Sequence, residues 1–98
     1  MIVDRDETIS LLRRHAADIR RFGVASLALF GSIARGEAGT HSDVDVLVEF
    51  EERPTFDGYM GLKFFLEDLL GRPVDVVTVS SLKPRLRAAV EREAVRVA

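Results

Sequence analysis

Two aspartates, Asp43 and Asp45, stand two residues apart in the segment 43–50, which reads DVDVLVEF. Apolar residues alternate with polar ones there, which predicts a strand whose valine face is buried. The two carboxylates then share the other face, with Cα atoms roughly 6.5 Å apart. Such a pair can bind one divalent metal ion, or two ions about 3.5–4 Å apart, and hard oxygen ligands favour Mg2+ or Mn2+ over zinc. The alternative is an edge strand with two solvated aspartates.

A third acid, Asp75, stands alone in the apolar segment 74–79 (VDVVTV), which also predicts a strand. If this strand pairs beside 43–50, about 4.8 Å away, Asp75 joins the same carboxylate cluster. A lone acid in an apolar strand costs stability unless it is exposed, paired or bound to metal. The alternative for Asp75 is therefore an exposed position at the edge of the sheet.

A Gly-Ser turn, Gly31-Ser32, follows a predicted strand and opens a short helical turn. Glycine lets the backbone approach a phosphate closely, and the Ser32 hydroxyl and the first N–H groups of the turn can donate to anionic oxygens. Arg35 lies three residues later on the same face, where it can neutralise phosphate charge. The alternatives are an ordinary turn with Ser32 as its N-cap, and an ion pair of Arg35 with Glu37 or Glu49.

The predicted elements that position these residues follow the order α-β-(short α)-β-α-β-α. Apolar spacing of three and four residues indicates the helices, and alternation indicates the strands. This order predicts a small α/β or α+β domain, with a three-stranded mixed sheet and helices. The elements are helices over 5–22, 58–70 and from 81 to about 97, strands over 25–30, 43–50 and 74–79, and a helical turn over 32–36.

Composition narrows the classes of function. The 98 residues are 47% hydrophobic and 31% charged, as expected of one domain over 1–98. With no cysteine there is no disulfide, zinc thiolate site or cysteine nucleophile. The net charge of -2 argues against direct nucleic-acid binding. No apolar run reaches membrane-spanning length and the acidic N-terminus lacks a signal-peptide core, so we expect a cytoplasmic protein.

Three separated motifs together resemble the signature of the nucleotidyltransferase superfamily that includes DNA polymerase β. They are Gly31-Ser32, then after ten residues Asp43-Val44-Asp45, and then Val74-Asp75-Val76. The finer pattern GSIARGEAGTHSDVDVLVEF is similar to the minimal nucleotidyltransferase (MNT) group, and the resemblance extends over nearly the whole chain. It implies the small nucleotidyltransferase fold.

The resemblance also implies roles for single residues. Asp43 and Asp45 would bind two Mg2+ ions, with Mn2+ as a substitute, and Asp75 would complete one metal site and act as base for the acceptor hydroxyl. The β and γ phosphates of the substrate ATP would be held by the Gly-Ser turn. The nucleotide-binding set implied in this way is Gly31, Ser32, Arg35 and Ser42.

Members of the MNT group are usually encoded beside a HEPN-domain RNase toxin, and some act as antitoxins that transfer AMP from ATP to a tyrosine of that toxin. The resemblance therefore implies a HEPN-domain toxin as partner. We expect either a hetero-oligomer with this toxin or a homodimer of the chain. Two alternatives remain open: a binding module that neutralises the partner by covering it, and a nucleotidyltransferase subunit that acts on a small molecule. The short chain argues against the small acceptor unless a dimer completes the site.

Overall fold

The computed structural model describes residues 4–37 and 43–98, which form a mixed sheet flanked by helices. The sheet order is β3-β2-β1-β4, with β2 and β3 parallel and the other neighbouring pairs antiparallel. The helices are α1 (Arg5–Arg14), α2 (Ala16–Arg20), α3 (Gly31–Ala34), α4 (Phe56–Leu70) and α5 (Pro84–Glu93), and the strands are β1 (Val24–Phe30), β2 (Val44–Phe50), β3 (Val74–Thr78) and β4 (Val95–Arg96).

One face of the sheet carries the hydrophobic core. Alternate residues of the three long strands point into it, and α1, α2 and α4 cover it with their apolar stripes. A register shift between Val24 and Ser26 keeps Val24 on the same buried face as Leu27. Each fully buried aliphatic side chain stabilises the fold by about 1.5–3 kcal/mol. The fully buried set includes Leu12, Ile19, Leu27, Leu29, Val44, Val46, Val48, Leu62 and Leu66.

The predicted α+β class and the three long strands are confirmed. Helix α4 also buries the predicted side, although it starts at Phe56, where the Thr55 hydroxyl accepts from the Gly58 N–H at 3.0 Å. It ends at Gly71, whose φ of 66° is the left-handed conformation that suits a glycine C-cap.

The predicted single helix over 5–22 is wrong, because it breaks at His15 into α1 and α2. The His15 backbone leaves helical geometry, and its N–H bonds to Leu12 O in a step of three residues. The His15 ring contacts Asp18 of α2, with Nδ1 3.3 Å from Oδ2. After the break the chain still brings Ile19 into the core, where it is fully buried.

The predicted last helix, from 81 to about 97, is too long at both ends. Ser81 does not cap it: this residue belongs to a 3-10 turn, and its hydroxyl donates to Thr78 O at 2.8 Å. The helix begins at Pro84, where a missing N–H does little harm, and it ends at Glu93.

The sheet accordingly has four strands where three were predicted. Ala94 takes an extended backbone, with ψ of 139°, and β4 then pairs with the free edge of β1. Beyond β4, Val97 N donates to Leu27 O at 2.9 Å, and Ala98 O accepts from Leu27 N at 3.1 Å. Backbone groups of β1 that would otherwise lack partners are satisfied in this way.

Side chains of α4 cover the outer edge of β3. Glu67 accepts from Val74 N at 2.9 Å, Lys63 donates to Val74 O, and Tyr59 donates to Val76 O at 2.6 Å. The Val74 N–H, followed by the Lys63 ammonium, holds the pKa of Glu67 below its ordinary value. Among the described residues, no helix is long and apolar enough to cross a membrane.

Replacing Glu67 by Gln should lower the Tm at neutral pH, because a charged acceptor for the Val74 N–H is lost. The stabilisation from a carboxylate with a lowered pKa is present above its ordinary value of 4.5 and disappears as the pH falls through the lowered one. Thermal unfolding between pH 7 and pH 3 should therefore show the wild-type advantage shrinking with acid. The exposed Asp68→Asn variant on the same helix is the control, and equal Tm values for Glu67→Gln and wild type at pH 7 would contradict the assignment.

Candidate active site

The candidate site lies at one end of the sheet, where β1 ends and β2 and β3 begin. Phe30, the last residue of β1, pairs with Asp45, and Asp45 lies beside Asp75 in the parallel register. Neighbouring strands are about 4.8 Å apart, so the two aspartate backbones are direct neighbours. The predicted meeting of Asp45 and Asp75 on adjacent strands is confirmed, while Asp43 lies exposed just before β2.

The carboxylates at this end of the sheet repel one another. Partial burial is the largest cause that raises the pKa of Asp45, and the negative charges of Asp75 and then Asp43 raise it further. The positive charge of Arg35 lowers it. Asp43 and Asp75 are exposed to solvent, whereas Asp45 is half-buried. The arrangement favours a positive charge near Asp45.

Gly31 directly abuts Asp45. Its φ of 79° lies in the left-handed region, and a Cβ placed on it would clash with Asp45 Oδ2 and lie 3.1 Å from Cγ. Glycine is therefore required here twice, for its backbone conformation and for the space that the Asp45 carboxylate occupies. The backbone of the Gly-Ser turn and the Asp45 side chain are in this way fitted to each other.

The Gly31 N–H and Arg35 converge on one carboxylate, which belongs to Glu93 at the end of α5. Gly31 N donates to Glu93 Oε1 at 3.0 Å, and Arg35 Nη1 lies 3.3 Å from Oε1 and 3.2 Å from Oε2. Arg35 Nε also donates to Glu37 at 3.2 Å, which is the ion pair weighed as an alternative. Glu37, followed by Glu93, raises the pKa of Arg35.

Glu93 was missed by sequence reasoning, which assigned it to the interior of a longer helix. The pairing of Leu29 with Val95 explains its position, because two further steps along the antiparallel ladder bring Glu93 opposite Gly31. The signal that could have located it is the β-branched alternation of Val95 and Val97, which is typical of a strand.

Only one of the two serines predicted to bind nucleotide lies within the described residues. Ser32 lies in α3, half-buried, and its backbone oxygen accepts from Glu37 N at 2.9 Å. Ser42 lies outside the described residues. The assignment of either hydroxyl to nucleotide binding stays a prediction.

A divalent cation fits the donor set at this site, although its ligands are not drawn together. Within 4–37 and 43–98, no three Asp, Glu, His or Cys side chains are arranged to hold a metal ion as they stand. The carboxylates nevertheless supply hard oxygen atoms, and a cation would offset the partial burial and the acidic neighbours that raise the pKa of Asp45. The metal role of Asp43, Asp45 and Asp75 stays a prediction.

An open groove lies on the sheet face that carries Asp45, and none of the candidate site residues lines it. Its volume is about 230 Å3, and it lies under the last turn of α5. It is lined by Ser26, Ala28, Leu47, Glu49, Val79, Glu91, Ala94 and Arg96.

Residues 12–97 match the family described as "Nucleotidyltransferase domain". The chain belongs to this nucleotidyltransferase family. A protein adenylyltransferase, MntA, from Thermococcus cleftensis is 47% identical to it over 93 residues, which cover 94% of each chain. A solved structure described as a putative minimal nucleotidyltransferase shares 42% identity with a TM-score of 0.83, again over 94% of each chain.

Two more distant structures share the nucleotidyltransferase fold. One is described as a toxin–antitoxin with AMP-PNP, with a TM-score of 0.71 and 21% identity over 88% of this chain and 72% of that one. The other holds a tri-AMPylated Shewanella oneidensis HEPN toxin in complex with MNT antitoxin, with a TM-score of 0.66 and 19% identity over 92% and 71%. At these identities the likeness establishes the fold alone.

Replacing Asp45 by Asn should raise the Tm of the protein at neutral pH in the presence of a chelator, because partial burial and the acidic neighbours disfavour the charge that is removed. A carboxyl with a raised pKa destabilises the fold above that pKa, and this effect vanishes below the ordinary value of 3.8. The gain over wild type should therefore shrink as the pH falls toward 3.8. Thermal unfolding measured across this range checks it, and a variant less stable than wild type at pH 7 would contradict the repulsion.

Proposed function

We propose that this protein is a nucleotidyltransferase that moves AMP from ATP to a hydroxyl of a partner protein, acting as one domain over 1–98. The observation that carries the proposal is the junction of Asp45, Asp75 and the Gly31 turn at one end of the sheet. The 47% identical relative that spans 94% of both chains, a protein adenylyltransferase, supports a protein as acceptor.

The nucleotide would lie with its phosphates against the Gly31 turn. The Gly31 N–H and the Arg35 guanidinium, which already bind a carboxylate, have the charge and donors that phosphate oxygens need. Ser32 in the same turn, and Ser42 before the aspartates, would add hydroxyl donors. A neighbouring structure described with AMP-PNP supports ATP as the nucleotide.

The three aspartates would hold the metal and accept a proton. Asp43 and Asp45 would bind two Mg2+ ions, or Mn2+ in their place, with Asp75 completing one site. Bound Mg2+ would neutralise the polyphosphate and the leaving pyrophosphate. Asp75, exposed beside Asp45, would take the proton of the acceptor hydroxyl, whose oxygen bonds to the α phosphorus as the bond to pyrophosphate breaks.

The acceptor that we propose is a tyrosine of a HEPN RNase toxin, so that the transfer makes this protein an antitoxin. The neighbouring complex with a tri-AMPylated HEPN toxin supports this choice. The exposure of Asp43 and Asp75 supports it as well, because a side chain on a partner surface reaches the site only if the site is open. ATP is abundant in the cytoplasm, which is where we place the reaction.

A second candidate is a binding module that neutralises the toxin by covering it. The observation that favours it is Glu93, which occupies the donors that phosphates would need. A subunit that acts on a small molecule is disfavoured by the exposure of Asp43 and Asp75, unless a second copy of the chain covers them.

Transfer is tested with labelled ATP, Mg2+ and a co-purified HEPN partner. Wild type should label the partner, and Asp43→Asn, Asp45→Asn and Asp75→Asn should each lower the rate by about 100-fold or more, the order of loss when one electrostatic contact is removed from an active site. The exposed Asp68→Asn variant, with an unchanged rate, is the matched control. Undiminished transfer by Asp45→Asn would overturn the metal assignment.

The same variants distinguish neutralisation by AMP transfer from neutralisation by binding alone. If transfer neutralises the toxin, Asp45→Asn should leave toxin activity intact at equal concentrations, even though the complex still forms. Full neutralisation by this inactive variant would support the binding module.

Gly31→Ala tests the fit between the turn and Asp45. Gly23 has the same φ of 79°, but nothing lies within 4 Å of its added Cβ. Both alanine variants should lose roughly 1–2 kcal/mol from the left-handed backbone. Only Gly31→Ala should also lose transfer, because its Cβ displaces the Asp45 carboxylate. Denaturant unfolding and the transfer assay measure the two effects, and equal transfer by both variants would contradict the fit.

A further inference from the structure

The Glu93 carboxylate occupies the donors that the proposed function assigns to phosphate. Gly31 N and Arg35 Nη1 both donate to Oε1, at 3.0 and 3.3 Å, and Nη1 is 3.2 Å from Oε2. A backbone N–H and a guanidinium together form the recognition set that proteins use for anionic oxygens. An acidic side chain of the protein itself therefore lies where a ligand anion would bind.

We propose that Glu93 is a built-in competitor for the phosphate groups of the nucleotide, so that polyphosphate binds only when this side chain leaves. The proposal rests on the proposed function, since it takes the Gly31 turn and Arg35 as the phosphate contacts. It adds a regulation of that site, in which an internal carboxylate lowers the affinity for nucleotide.

Glu93 is placed to leave by rotation of its side chain alone. It is the last residue of α5, and its side chain is 32% exposed. No residue of α5 is buried, so the core does not hold the helix. Two residues further on, β4 pairs with β1 and fixes the backbone. The carboxylate can therefore swing into solvent while the fold stays intact.

The local charges make the exchange reversible. Glu93 lies close enough to Asp45 for their like charges to repel, while Arg35 attracts Glu93. Arg35 also has a second partner in Glu37, so it stays paired when Glu93 departs. A polyphosphate brings more negative charge than one carboxylate and more acceptor oxygens for the same donors, so it can displace Glu93.

The effect of Glu93 on nucleotide affinity depends on the fraction of molecules in the open state, in which its carboxylate has turned away from Gly31 and Arg35. If only a fraction of molecules has the carboxylate swung out, the apparent Kd equals the intrinsic Kd divided by that fraction. Removing the charge of Glu93 should therefore tighten binding. A residue that merely aimed Arg35 would have the opposite effect, because its removal would weaken binding.

The experiment is calorimetric titration of the full chain, in Mg2+, with a non-hydrolysable ATP analogue and separately with inorganic tripolyphosphate. Glu93→Gln and Glu93→Ala should each tighten both ligands by about fivefold, as expected if roughly a fifth of wild-type molecules are open. Glu37→Gln removes a partner of Arg35 but leaves Gly31 N covered, so it should change affinity by less. Glu91→Gln, an equal charge change on an exposed residue of α5, should leave it unchanged.

Every other outcome contradicts the proposal that Glu93 competes with the phosphate groups. Weaker affinity in both Glu93 variants would make Glu93 a positioning residue for Arg35, and equal affinity would show that its carboxylate does not compete with phosphate. Tightening for the ATP analogue alone would also overturn it, because a competitor for phosphate acts on tripolyphosphate equally. If wild type and every variant fail to bind either ligand, the proposed function fails and the competitor with it, whereas binding without tightening overturns the competitor alone.

Discussion

The parallel pairing of β2 with β3 is the constraint on which the rest of the structure depends. It brings Asp45 beside Asp75, and it requires a crossover, which α4 provides. Two neighbouring carboxylates repel, so this pairing needs support from elsewhere. The valines on the opposite face of both strands give that support, because their burial against α4 fixes the register that places the acids together.

The sequence was sufficient for the parts of the fold that repeat a local pattern. Alternation located β2 and β3, and the apolar stripe of α4 located its buried side. It was insufficient where the outcome depended on a distant partner: β4 is two residues long and forms only because β1 offers a free edge. Glu93 was missed for the same reason, since its position at Gly31 follows from that distant pairing.

The site concentrates negative charge before any nucleotide is present. Partial burial raises the pKa of Asp45, and the charges of Asp75, Asp43 and Glu93 raise it further, against the single opposing charge of Arg35. A fold selected for stability alone would avoid such a cluster. Under the proposed function, a bound cation and the polyphosphate would balance the charges that the chain itself leaves unbalanced.

The covered edge of β3 restricts how another protein can approach. Lys63 and Glu67 take both hydrogen-bonding groups of Val74, and Tyr59 takes the oxygen of Val76, so a foreign strand finds few free groups there. The opposite edge is β4, whose two residues offer too short a ladder for a stable added strand. A partner must therefore recognise this molecule through side chains on its surface. Extension of the sheet into another chain, which is also the usual start of ordered aggregation, is disfavoured at both ends.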